Sequence, residues 1–394
     1  MACARLAVLV LLLAAAPARA AEESLFVDPL DGAFDVDRFL ATRYGFMPLV
    51  VPITEPAVGY GAAAGLVFIH GKLAGEEVEG RRVPPSLSVA MGMGTSNGSY
   101  GAAAAHLGHW ADGDVRYLGA AGYLSMNLAA YPADRKVRFR IEGVPFVQDL
   151  TFRVFGSDLS VGGRYVFIGS KVSLLEGGEA IQGRDLRTNL SGIGPVLRWD
   201  GRDSIFSPSR GVRAEGTYTW FAPGLGSDRD AWKARVAEVS YGALLPWFVS
   251  ALRLDLQLSG GDLPFWMRPY VALRGVPAMR YQGETVAVAE AEERLDVTRR
   301  WSVVAFGGVG ATAGVAAETV VGSYGGGFRY LVARQFGVRA GAEGESERGG
   351  EDHAATVREA RPLLHRTLVH PRPARARLST RRSRRSRTRR SPRG

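Results

Sequence analysis

The sequence predicts an all-β protein, a transmembrane antiparallel β-barrel of about 16 strands. Three observations favour it. The chain begins with the pattern of an export signal, and residues 45–345 alternate apolar and polar side chains in short runs broken by turn residues. No convincing apolar helix follows the signal. Because a bilayer leaves no backbone polar group unsatisfied, a closed barrel is then the remaining structure that spans it.

The first twenty residues have the pattern of a secretory signal peptide. Arg5 supplies a positive charge, residues 6–16 are apolar, and residues 18–20 form a small-x-small cleavage site. The apolar run is shorter than the about 20 residues of a membrane anchor. We therefore expect cleavage after residue 20, with residues 21–44 as a short periplasmic segment before the barrel. A buried N-terminal helix is the alternative.

The sequence offers little for catalysis. Its one cysteine, Cys3, lies in the signal, so disulfides, thiol chemistry, cysteine metal sites and a lipoprotein anchor are not expected. His106 and His109 would point to opposite sides of a strand, which argues against a joint metal site. No nucleophile elbow and no phosphate loop occur. The prediction is a protein without enzymatic activity, metal or cofactor.

The positive charge of the chain is confined to its end, the Arg-rich tail of residues 346–394. Residues 351–394 contain fourteen Arg, no Lys and three acidic residues, which is 14 − 3 = +11, whereas the whole chain carries +10. A nucleic-acid or lipid-binding arm, a disordered extension and an aberrant, out-of-frame translation are the three interpretations. The absence of Lys favours the last. An exported protein rarely meets nucleic acid, so none is expected as a partner.

Period-two alternation marks the individual strands. Charged residues such as Arg253 and Asp255 alternate with apolar ones inside these runs, as a polar lumen permits. Residues 301–317 are apolar and rich in Gly, which we interpret as two strands and a turn. The clearest predicted strands are 58–69, 86–94, 114–126, 136–141, 249–258 and 328–340. Aromatic residues expected at strand ends, near a membrane interface, are Trp110, Tyr117, Trp220, Trp247, Trp266 and Tyr270.

Alternation also fits a soluble periplasmic β-sandwich, which stays as an alternative. The export signal, the abundant Gly, the charges inside strands and the placement of the aromatic residues together favour the membrane barrel.

Residues 197–211, with the sequence LRWDGRDSIFSPSRG, resemble a strand–turn–strand signature of the BamA/TamA superfamily of outer-membrane barrels. The resemblance implies a periplasmic turn. Pro208 and Gly211 are expected to set this turn, and its charged residues to lie at a solvated rim. The residues that carry the motif are Asp200, Arg202, Asp203, Phe206, Pro208 and Gly211.

Residues 273–277 (LRGVP) and 280–283 (RYQG) are similar to the tip of a long loop that in this family folds back into the lumen. The resemblance implies a lumen-loop motif of Arg274, Gly275 and Arg280, in which Arg274 packs against acidic residues of the wall. Glu290 and Glu292 are the candidate partners, because alternation places both on one face of a strand. A desolvated Arg needs such a carboxylate. The alternative is that Arg274 is solvated.

The resemblance covers roughly residues 47–342 and includes 52–61 as a first-strand entry, with 306–310 and 325–330 as penultimate strands. Two departures matter. Family members that insert or translocate proteins carry POTRA domains before the barrel, and residues 21–43 are expected to be too few for one. The family also ends in a strand with a terminal aromatic residue. Here the last strand is expected to be missing, which would leave an unpaired edge.

The expected function follows from this resemblance. It is a non-catalytic barrel in the outer membrane, in contact with outer-membrane lipid and other envelope proteins. Its role would lie in envelope biogenesis or in transport of protein, lipid or a small solute. A passive pore or a purely structural barrel is the alternative.

Overall fold

The computed structural model of the chain describes residues 4–5, 26–28, 30–36, 45–55, 57–71, 76–78, 81–131, 136–176, 179–180, 186–204, 207–314, 318–333 and 338–348. The chain divides into two units, Met1–Ala354 and Ala355–Gly394, and every described residue belongs to the first. The predicted cleavage site and the residues of the Arg-rich tail beyond 348 lie outside the described residues.

Fifteen long strands account for most of the described residues. In chain order they are β1 (Gly45–Ile53), β2 (Gly61–His70), β3 (Ser86–Thr95), β4 (Tyr100–Trp110), β5 (Val115–Ala130), β6 (Val137–Arg153), β7 (Leu159–Glu176), β8 (Leu186–Asp200), β9 (Gly211–Phe221), β10 (Ala231–Leu245), β11 (Phe248–Gly261), β12 (Thr285–Asp296), β13 (Trp301–Ala313), β14 (Thr319–Ala333) and β15 (Val338–Arg348).

Each of these strands pairs antiparallel with the next one along the chain, from β1 to β15, which confirms the all-β prediction. Among the described residues no ladder joins β1 to β15. Instead Ala4–Arg5 pairs with β15. The residues after 348, where the predicted sixteenth strand would be looked for, lie outside the described residues.

Shorter elements complete the described structure. Glu76–Val78 and Arg81–Val83 form a small hairpin between β2 and β3, and Glu179–Ala180 pairs with the end of β7. Two single turns of 3-10 helix, Pro223–Leu225 and Phe265–Met267, lie in loops. No helix in the described part of the chain is both long and apolar enough to cross a membrane.

Two strand predictions were wrong. Residues 301–317 hold one strand, β13, and not two strands and a turn. Its Gly residues serve a close approach, since a Cβ at Gly308 or Gly310 would lie 2.8 or 2.3 Å from Leu273 or Val271. Residues 328–340, predicted as one strand, span the end of β14 and the start of β15, with residues 334–337 outside the described residues.

The sheet has an apolar face and a polar face. Along β11, Leu252, Leu254 and Leu256 are 41–43% exposed, whereas Asp255 and Gln257, at the alternate positions, are 2% and 8% exposed. This inversion of the usual burial pattern recurs along the sheet. We call the exposed apolar side the outer face and the other side the inner face. Further exposed residues of the outer face include Leu66, Phe68, Val144, Leu150, Phe152, Ile193, Leu197, Trp220, Val236, Val303, Val309 and Phe328.

The sheet is curled, because its two ends come close together. In a flat sheet β1 and β14 would be separated by thirteen strand spacings, or about 62 Å. Yet the backbone N–H of Val36, nine residues before β1, donates to the carbonyl of Val332 on β14 at 2.8 Å. Nine residues span at most about 32 Å. The meander therefore curves strongly, as the sheet of a barrel does, with the polar inner face on its concave side.

The first prediction concerns the inner packing. Phe139 on β6 is 1% exposed, and its ring meets that of Phe265 edge-on, with centroids 5.0 Å apart. Phe139→Ala is expected to lower the free energy of unfolding by about 3–5 kcal/mol because it leaves a cavity. Urea unfolding in detergent micelles, followed by tryptophan fluorescence, measures this. Phe152→Ala on the outer face is the control, and an equal loss there would contradict the assignment of faces.

Candidate functional site: the loop folded onto the inner face

A loop of residues 262–284 joins β11 to β12 and folds back onto the inner face. Val271, Leu273 and Val276 of this loop, which we call the inner loop, are 1–5% exposed. They form one cluster with Val286 and Val288 of β12. The interior next to β12 is therefore filled by the chain itself.

The opposite side of the inner loop packs on distant strands. Met279 joins a buried cluster with Phe139 of β6 and Val172 of β7. Trp266 and Tyr270 pack on this cluster too. They were predicted as strand-end aromatics at a membrane interface, and that prediction was wrong because the loop carries them inward. One loop thus contacts both β6–β7 and β12.

The stalk of the inner loop is a narrow hairpin that projects its tip. The N–H of Val271 donates to the carbonyl of Tyr281 at 2.9 Å, and the N–H of Val276 donates to Leu273 at 3.2 Å. Gly275 has φ +86°, the left-handed region in which a glycine is favoured. This turn places Arg274 at the tip, against the wall formed by β12, β13 and β14.

Arg274 lies between two carboxylates of β12. Its Nη2 donates to Glu290 Oε1 at 2.8 Å and its Nη1 to Glu292 Oε2 at 2.7 Å. The guanidinium also lies 3.7 Å from the ring centroid of Phe306. From the other side, Arg329 binds both oxygens of Glu292 at 2.7 and 2.8 Å. The result is an alternating network of two Arg and two Glu, in which one loop residue is held by three neighbouring strands.

Burial sets the cost of disturbing this network. Glu290 is 6% exposed, and its Oε2 has no hydrogen-bond partner among the described residues. A buried carboxylate that loses its cation is strongly unfavourable. The inner loop is therefore fixed by an ion pair whose loss would leave the buried Glu290 carboxylate without a cation.

Arg280, predicted in the same motif, is not part of this network. It is exposed, and its guanidinium lies 5.9 Å from the ring of Tyr131 and 5.3 Å from that of Tyr281. The structure thus brings Arg274 together with Glu290 and Glu292 and separates Arg280 from them.

The turn motif of residues 200–211 is closed by its own charged residues. Asp200 accepts hydrogen bonds from Arg202 Nε and Nη2 at 2.7 and 2.8 Å. Asp203 accepts from the N–H of Ser209 at 2.9 Å. Gly211 has φ +100°, and a Cβ there would lie 2.1 Å from the carbonyl oxygen of Gly201. Phe206 lies outside the described residues.

This turn is less solvated than expected. The side chain of Arg202 is 9% exposed, and Pro208 is buried. Arg294 of β12 donates to the carbonyl of Pro208 at 3.4 Å, and Arg339 of β15 donates to Ser207 Oγ at 3.0 Å. The expectation of a solvated rim was wrong for Arg202, because the turn folds across the inner face and meets strands far along the sheet.

A second ionic network on the inner face was missed by sequence reasoning. Arg198 binds both oxygens of Asp149 at 2.9 and 2.7 Å and donates to Glu215 at 2.9 Å. Arg164 bridges the same two carboxylates at 2.7 and 3.1 Å. Asp149 is 1% exposed. The charges alternate with apolar residues along β6, β7, β8 and β9, but only the register between strands reveals that they meet.

A third ionic cluster, which no local sequence pattern predicts, holds the N-terminal segment. Arg300, in the turn between β12 and β13, binds Asp28, Asp31 and Asp35, with Nε 2.7 Å from Asp31. The residue Arg300 as a whole is 5% exposed. The hydrogen bond to Asp31, helped by Asp35, raises the pKa of Arg300 above its ordinary value although burial opposes this. Residues 26–36 are thereby tied to the end of the sheet where β1 begins.

The histidines that were considered for a metal site lie apart. His106 Nδ1 is 2.8 Å from Ser88 Oγ, whereas His109 Nδ1 is 3.3 Å from the carbonyl of Pro85. Within the described ranges no group of three or more His, Cys, Asp or Glu is arranged to hold a metal ion.

An antiparallel sheet that is apolar outside, ionic inside and filled by one folded-back loop has the fold of an outer-membrane β-barrel of the BamA type. Two solved structures share it. BamA from Haemophilus ducreyi lacking POTRA domains 1–3 aligns with a TM-score of 0.55 at 12% identity, over 78% of this chain and 71% of that one. CdiB from Escherichia coli aligns with a TM-score of 0.52 at 10% identity, over 78% of this chain and 63% of that one.

At this identity the likeness establishes the fold alone. The chain spans less than two thirds of the CdiB chain that it matches. No protein-family model and no curated protein matches the sequence.

The second prediction tests the tip of the inner loop. Arg274→Ala is expected to cost about 3–5 kcal/mol of unfolding free energy, because it leaves buried Glu290 without its cation. The inner loop should then become accessible to trypsin at Arg268 and Arg280. Limited proteolysis with mass spectrometry measures this. Arg280→Ala should leave the loop protected, and a protected loop in Arg274→Ala would mean that Arg274 is dispensable.

The third prediction tests the tie to the N-terminal segment. Arg300→Ala is expected to release residues 26–36, since three carboxylates then repel one another without a cation. Hydrogen–deuterium exchange of that segment should rise at least tenfold, while exchange in β12 and β13 stays slow. The exposed neighbour Arg299 is the control. Unchanged exchange in Arg300→Ala would show that backbone contacts alone hold the segment.

Proposed function

We propose that this protein is a non-catalytic outer-membrane barrel of the BamA/TamA type that acts in envelope biogenesis, or in transport of protein, lipid or a small solute. The observation that carries the proposal is the inner loop, held on the wall by Arg274 between Glu290 and Glu292. A loop fixed in this way distinguishes a filled barrel from an open channel.

The outer face supports a membrane setting. Large apolar side chains are exposed on strands from β2 to β14, and a contiguous exposed apolar surface usually marks a membrane or protein interaction site. Trp110, Trp220 and Trp247 are 47–50% exposed near strand ends, where amphipathic rings favour a membrane interface. A soluble periplasmic β-sandwich would bury these side chains. Outer-membrane lipid is therefore the expected neighbour of this face.

The interior argues against a passive pore. The inner loop enters from one end of the sheet, and the turn of residues 201–210 folds across the inner face at the other end. The inner-face charges described above bind one another, as Arg198 binds Asp149, and so brace the wall. Solute flow would require the loop or the turn to move.

The fourth prediction distinguishes a barrel that is filled by the inner loop from a passive pore. In planar bilayers the protein should show a closed or flickering state, and Arg274→Ala should raise the open probability at least tenfold, because the loop loses its anchor. Arg280→Ala is the matched control. A steady, large conductance in the unchanged protein would favour the passive pore.

The same preparations should give a heat-modifiable band in the outer-membrane fraction, since closed barrels resist detergent until boiled. Recovery in the soluble fraction without such a band would favour the soluble sandwich.

A further inference from the structure

We propose that a basic patch on the outer face binds phosphate groups of lipids in the outer leaflet. The patch lies on β6, β7 and β8, at the end of the sheet from which the inner loop folds back. It consists of Arg138, Arg140, Lys171 and Arg187. The inference rests on the proposed function for the membrane. The family resemblance of residues 197–211 implies a periplasmic turn at the opposite end of the sheet, which puts the inner loop on the external side.

The register places all four side chains on the outer face. Lys171 lies directly opposite Glu142 of β6 and Arg187 of β8, and directly paired residues share a face. Along β6, residues 138, 140 and 142 have the parity of Val144, which is 49% exposed. Phe139, of the other parity, points inward and is 1% exposed.

The patch carries an excess of positive charge. Among the described residues on the outer face of β6, β7 and β8, four are basic and one, Glu142, is acidic, which is 4 − 1 = +3. In the register Lys171 is flanked by Glu142 on β6 and by Arg187 on β8, so this row of three residues holds two basic side chains and one acidic side chain. Arg140 is oriented by Asn127, whose Oδ1 accepts from its Nε at 2.9 Å.

The patch lies where lipid headgroups are expected. A membrane-crossing strand needs about 9–11 residues. Counted from Arg153 at the far end of β6, ten residues reach Val144, and the charged residues begin directly beyond it. Below the patch the outer face of β6 is apolar, with Leu150 38% and Phe152 50% exposed. A ligand that spans this boundary has an anionic headgroup and apolar chains.

Phosphate fits the spacing of these cations. Directly opposite residues have Cβ atoms about 5 Å apart, and successive outward residues along a strand are about 6.8 Å apart. Arg binds phosphate oxygens through paired N–H donors, and Lys adds a point charge. One or two phosphates can therefore be reached from three adjacent strands at once.

The test uses the full barrel in neutral detergent micelles. Native mass spectrometry would measure binding of lipid A with two phosphates, of the same lipid after dephosphorylation, and of inorganic phosphate. The combined variant Arg140→Gln, Lys171→Gln and Arg187→Gln should bind the phosphorylated lipid at least tenfold more weakly. Arg229→Gln, a basic residue in a loop at the same end, should bind as the unchanged protein does.

Several outcomes would overturn the inference. Equal binding by the combined variant, or equal binding of the dephosphorylated lipid, would mean that the patch does not recognise lipid phosphate. Inorganic phosphate that competes at the same concentration as the lipid would mean a free-anion site instead. A heat-modifiable band with no lipid binding would count against this inference alone. A missing band in the unchanged protein would count against the proposed function, and with it this inference.

Discussion

Two carboxylates stand side by side on the inner face of β12, and a buried carboxylate is tolerated only with a cation close by. Glu290 and Glu292 are two positions apart on one strand, and Glu290 is 6% exposed, so the pair needs guanidinium groups close by. Arg329 reaches Glu292 from β14, and Arg274 completes the set from the inner loop. The path of the loop, the Gly residues that make room for it on β13 and the filled interior all follow from this requirement.

The same rule organises the rest of the inner face. Arg198 joins β8 to Asp149 on β6 and Glu215 on β9, and Arg300 joins the N-terminal segment to the turn after β12. In each case a planar guanidinium with several donors satisfies more than one carboxylate, which Lys does less well. The interior is thus cross-braced by Arg, while the middle of the outer face is lined by apolar side chains.

The sequence was sufficient for most of the predicted strands and for one ionic contact, and the reasons are physical. Alternation with a period of two is local, so β11 and β12 are visible without knowledge of their partners. The proximity of Arg274 to Glu290 was implied by the family resemblance, and the two are only sixteen residues apart. Asp149 and Arg198, or Asp35 and Arg300, meet through register and curvature, which no local pattern records. The burial of Arg202 was not predicted, for the same reason.

The distances along the chain between these contacts imply an order of assembly. Arg274 finds Glu290 and Glu292 sixteen and eighteen residues away, whereas Arg300 finds Asp28 and Asp35 across 272 and 265 residues. Contacts between near neighbours in sequence form first, because they close small loops. We expect the inner loop to dock on its own hairpin as a folding nucleus, around which the remaining strands wrap. The contacts of Arg300 with the N-terminal segment then form last, after the two ends of the sheet have approached each other.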